Sequence, residues 1–77
     1  MTNKNKMLQL VLSDTNLNAT YKYNAKEYLT IESALKSDNP IVVTVAKIIK
    51  GLKEDSDKST FKETYNEIIN YLNQNLT

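Results

Sequence analysis

Met7-Leu8-Gln9-Leu10-Val11-Leu12 decides the fold of this chain, because the run satisfies two periods at once. With a period of two, Leu8, Leu10 and Leu12 share one face while Met7, Gln9 and Val11 share the other, the pattern of a half-buried strand. Ala19, Tyr21 and Tyr23 alternate with Thr20, Lys22 and Asn24 in the same way. Between them, Ser13-Asp14-Thr15-Asn16-Leu17-Asn18 has hairpin-loop chemistry, since Asp and Asn bond to their own backbone and tolerate left-handed conformations. The sequence therefore predicts a β-hairpin over residues 7 to 23, preceded by a flexible lead of residues 1 to 6. The run also fits a short helix, for six positions do not separate the two periods.

Downstream, helix signals dominate. Asn24-Ala25-Lys26-Glu27 places an N-cap Asn three residues before a Glu, and Tyr23 and Tyr28 are spaced as a hydrophobic staple. A helix is predicted over 25 to 37, with Tyr28, Ile31 and Leu35 facing inward beside Ala25 and Ala34. Asn39-Pro40 then opens a second helix, with Asn as N-cap and Pro at the first helical position. Its apolar residues Ile41, Val42, Val45, Ala46, Ile48, Ile49 and Leu52 cover about half its circumference, the mark of a central helix over 40 to 53. Gly51 weakens its last turn. A third helix, 59 to 75, starts at Ser59 or Thr60 with a capping box to Glu63 and carries the stripe Phe61, Tyr65, Ile68, Ile69, Leu72 and Leu76. The expected architecture is a single α+β domain over residues 1–77, mainly α, with the hairpin packed on three helices. The alternative is an all-α, five-helix, repressor-like bundle.

Composition narrows the function. A chain of 77 residues has room for one core, and at that size net stability is about 3–5 kcal/mol unless a disulfide, a metal or a partner adds to it. With no Cys and no His, disulfides, thiolate or imidazole metal sites and the commonest general base are all missing. The single Gly forbids a phosphate-cradling glycine loop. No catalytic residue is identified, and the carboxylate pairs Glu27/Glu32 and Glu63/Glu67 read as helix surface; the chain is not expected to be an enzyme. The acidic loop has the one-three-five spacing of a calcium loop at Asp55, Asp57 and Ser59. However, Thr60 stands where Gly is needed and Asn66 where a bidentate Glu is needed, so neither a metal nor a cofactor is expected.

All ten basic residues are Lys, and the net charge is only +1, too small for a strong field toward nucleic acid or membrane. The apolar run after Lys4 and Lys6 is shorter than a signal-peptide core, and no run reaches the length of a membrane span. A cytoplasmic protein is expected. Abundant Lys and Asn, with no Arg, suit a low-GC bacterial, phage or plasmid genome.

Two surfaces are candidates for a partner. Lys47, Lys50 and Lys53 form a basic strip on the outer side of the central helix. Tyr71 lies at the edge of the last helix's apolar stripe, where an aromatic ring can serve as an anchor. These four residues are the predicted partner-binding set, and a homodimer through the last helix is a further option.

Asn39-Pro40 with Thr44, Val45, Lys47, Ile48, Lys50 and Leu52, and Ala34-Leu35 upstream, resembles the helix that follows the recognition helix in Cro/repressor-type helix-turn-helix proteins and related antitoxins. The resemblance covers about 20 residues and implies a DNA-binding regulator that places Tyr28 to Lys36 in the major groove. The chain departs from that family in lacking the glycine turn and an Arg-bearing recognition helix. The leading expectation is a non-enzymatic protein-binding regulator or inhibitor, with a helix-turn-helix-like DNA-binding regulator or antitoxin as the alternative.

Overall fold

The computed structural model describes residues 3–13, 23–52 and 57–75. Among the described residues there are four α-helices, α1 (Asn3–Leu12), α2 (Ile31–Leu35), α3 (Pro40–Lys50) and α4 (Lys58–Asn75), with a 3-10 turn at Ala25–Glu27 before α2. Among the described residues there is no strand. The predicted N-terminal hairpin is thereby overturned, and the all-α reading fits.

The correction has a physical cause in the first apolar run. Met7, Leu8, Val11 and Leu12 are fully buried, the i, i+1, i+4, i+5 stripe of a helix, whereas Leu10 is 54% exposed. In a strand, Leu8 and Leu10 would share a face. Here the helical twist separates them, and Leu10 turns to solvent. The rest of the hairpin, Asp14 to Lys22, lies outside the described residues.

The predicted helix over 25 to 37 is divided into two pieces. Asn24 does act as a cap, its Oδ1 accepting from the Lys26 amide at 2.9 Å, but only a 3-10 turn follows. Thr30 then caps anew: its Oγ1 accepts from the Ser33 amide at 3.2 Å, and the Ser33 Oγ accepts from the Thr30 amide at 3.3 Å. This reciprocal box starts α2 at Ile31, six residues after the predicted start at Ala25, and leaves Tyr28, Leu29 and Thr30 as the break. Of the predicted inward face, Ala34 is buried, and Ala25, Tyr28, Ile31 and Leu35 are half-buried against the core.

Central helix α3 starts at Pro40 as predicted but ends at Lys50, short of the predicted 53. Asn39 accepts from the Ile41 amide at 2.9 Å, and Pro40 takes the first helical position; an Asn cap of this kind contributes about 1 kcal/mol over Ala. Val42, Val45, Ala46 and Ile49 are fully buried, and Leu52 is buried just beyond the helix end. Gly51 closes α3 at φ −72°, an ordinary right-handed value, so the chain leaves the helix there without a left-handed cap.

α4 starts one residue before the predicted boundary because the cap is Asp57, not Ser59 or Thr60. Its Oδ1 accepts from the Thr60 amide at 2.9 Å, and its carbonyl accepts from the Phe61 amide at 3.1 Å. Ile68 and Leu72 are the buried residues of its stripe, while Phe61, Tyr65, Ile69 and Tyr71 pack around them half-buried.

Hydrogen bonds from the Thr60 amide, the Thr60 side chain and the Ser59 amide hold the Asp57 carboxyl below its ordinary pKa, outweighing a small opposing effect of burial. A carboxylate whose pKa is depressed by folding adds stability above its unfolded pKa and loses it as pH falls through the folded value. Acidification through the carboxylate range should therefore weaken the start of α4. In Asp57→Asn, which still caps but does not titrate, that part of the acid dependence should be gone; urea unfolding followed across the acid range checks this.

The core is one cluster. α1, α3 and α4 supply most of it, and Tyr23 and Ala34 complete it from the segments between α1 and α3. The radius of gyration is 11.5 Å, close to the roughly 11.5 Å expected for a compact chain of this length.

Candidate functional site

Three polar side chains of α1 reach the later elements, and they position the surface described next. Asn5 Oδ1 accepts from the Ile31 amide at 3.1 Å, satisfying a donor at the first turn of α2 that has no intrahelical partner. One turn along, Gln9 Nε2 donates to the Leu29 carbonyl at 3.3 Å. At the start of the helix, Lys4 Nζ donates to the Lys50 carbonyl at 3.4 Å, placing a cation at the C-terminal end of α3, where the helix dipole favours it. Asn5 and Gln9 thus fasten α1 alongside the Tyr28–Thr30 break and leave a groove above the joint.

That groove has a volume of about 410 Å³. One wall is the solvent-facing stripe of α1, Lys6, Gln9, Leu10 and Ser13, at helical spacing; the other is Ala25, Lys26 and Leu29 from the 3-10 turn and the break. Leu10 and Leu29, 54% and 58% exposed, are the large apolar side chains that the described residues leave in water. Isolated surface leucines are ordinary, but these two share one groove. Lys6 and Lys26 stand on opposite walls, and among the described residues no carboxylate lines the groove.

The predicted partner-binding residues are not gathered into one site. Lys47 and Lys50 are exposed on the outer side of α3, as expected, and Lys53 lies outside the described residues. Lys47 lines a hollow between α3 and α4, floored by Ile48 and Leu52, whereas Tyr71 lines another along the outer face of α4 with Glu63, Glu67 and Asn70. Lys50 lines neither. Among the described residues no group of three or more acidic side chains converges as a metal site would.

Sequence reasoning missed both central residues of the groove. The strand reading placed Leu10 on one face with Leu8 and Leu12, and the continuous helix over 25 to 37 hid the break that exposes Leu29. The available signal was the helical wheel of residues 3 to 13, on which Leu10 falls away from Met7, Leu8, Val11 and Leu12.

Fold and site together define a small all-α protein carrying an open, lysine-rimmed apolar groove. No helix among the described residues is long and apolar enough to cross a membrane. Compared with known protein families, curated proteins and solved structures, the chain matches none.

Proposed function

We propose that this chain is a non-enzymatic protein-binding module, a small cytoplasmic regulator or inhibitor carried by a phage or mobile element. The observation that carries the binding role is the pair of exposed leucines, Leu10 and Leu29, in one groove whose walls are held together by Gln9. Apolar area left in water by a chain with so small a core is better accounted for by a partner than by folding, since a bound partner adds stability by mass action. The genomic setting is supported only by the Lys-only, Asn-rich composition.

The same geometry favours protein over DNA. Tyr28 to Lys36, the segment that a DNA-binding reading would place in the major groove, holds the break and the five-residue α2, about 7.5 Å long. Ala34 is buried, and Tyr28, Ile31 and Leu35 pack on the core. A homodimer through α4 would have to use its half-buried flank, because Ile68 and Leu72 are committed to the chain's own core.

The test compares two baits, the native chain and the double variant Leu10→Ser, Leu29→Ser. Both positions are exposed, so the variant should keep its helical circular dichroism and its unfolding midpoint. From a host lysate the native chain should retain a stoichiometric protein that the variant loses. Retention of no such protein, or equal retention by both baits, would overturn the proposal.

A further inference from the structure

The lining of the groove also specifies what should fill it. Each wall carries a lysine a few residues before a leucine: Lys6 one helical turn before Leu10 on α1, and Lys26 in the 3-10 turn three residues before Leu29 in the break. The apolar centre is thus flanked by positive charge on both sides, and among the described residues no carboxylate lines it. Main-chain pairing is poorly served here. The α1 backbone is bonded within its helix, and the Leu29 carbonyl on the opposite wall already accepts from Gln9. Recognition by strand addition needs an edge of unpaired backbone groups, whereas a helix laid in a groove needs side-chain contacts alone.

We infer that the groove takes a short amphipathic helix from another protein, with apolar side chains against Leu10 and Leu29 and Asp or Glu on both flanks toward Lys6 and Lys26. This rests on the protein-binding reading and adds the chemistry of the partner. The leucines supply the desolvated centre of the contact. The lysines, solvated at the rim, contribute little raw affinity but set which charge pattern is accepted and how fast the partner arrives.

A displayed library of random short peptides, selected on the full chain and counter-selected on Leu10→Ser, Leu29→Ser, tests the inference. The surviving pool should be enriched in peptides with apolar residues three or four apart flanked by Asp or Glu. Their affinity for the native chain should fall on the order of tenfold in the charge-reversed variant Lys6→Glu, Lys26→Glu. Selection on that variant should return peptides flanked by Lys or Arg. A surviving pool without acidic bias, an unchanged affinity on charge reversal, or no pool dependent on the two leucines overturns the inference. The broader proposal is judged separately, because a lysate partner lost with Leu10→Ser, Leu29→Ser would still support protein binding when the acidic preference fails.

Discussion

Leu8→Ala is expected to cost about 2–5 kcal/mol of unfolding free energy, while Leu10→Ala, two residues away, should cost well under 1 kcal/mol. Leu8 is fully buried and Leu10 is more than half exposed, so truncation opens a cavity in one case and removes surface in the other. A core of this size rarely supplies more than about 3–5 kcal/mol, so the first change should leave much of the population unfolded. Urea titrations followed by far-UV circular dichroism measure both. Equal losses at the two positions would contradict the helical placement of α1, because a strand puts both leucines on one face.

The second large effect lies on α3. Ile49, in the last turn of α3, is fully buried in the same cluster as Val42, Val45 and Ala46, on the face of the helix that the other elements cover. Ile49→Ala should cost about 2–5 kcal/mol and Ile49→Val about 0.5–1.5 kcal/mol, graded with the methyl groups removed. At exposed Lys47, one turn from the end of the same helix, a change to Ala should fall within about 0.5 kcal/mol of neutral. Urea midpoints for the three variants check the order. An Ile49→Ala variant as stable as the native chain would show that α3 is not the centre of the core.

What could be read from the sequence was what depends on near neighbours. Asn39 and Pro40 specify the start of α3 through a contact two residues long, and the apolar arc from Ile41 to Leu52 requires only that the helix be surrounded. The α4 boundary moved by a residue because Asp57, Ser59 and Thr60 can all cap a helix and stand within four positions of one another. The second helix failed differently. Thr30-Ile31-Glu32-Ser33 works as a capping box with Ser in the place usually taken by Glu or Gln, and it competes with the stronger-looking signal at Asn24.

The first element could not be read locally at all. Met7 to Leu12 fits both periods, and the fold resolves the choice through contacts that span the chain: Leu8 and Val11 in a core shared with α3 and α4, Asn5 reaching Ile31, and Gln9 reaching Leu29. The groove inherited that difficulty. Its two leucines are visible as a site only after α1 is a helix and the segment from Tyr28 to Thr30 is a break. Lys47, Lys50, Lys53 and Tyr71 drew attention for charge and aromaticity, properties that do not reveal which side chains share a concavity.

The bond between Asn5 and Ile31 also gives the molecule an internal reporter. The Ile31 amide stands in the first turn of α2, where no backbone acceptor of its own helix is available, and the oxygen it donates to belongs to a side chain 26 residues earlier. Its hydrogen exchange with solvent is therefore governed by whether α1 is seated, while the amides of α3 answer to opening of the core around them. Undocking of the N-terminal helix and loss of the whole fold are thus separable at single-residue resolution in the native protein.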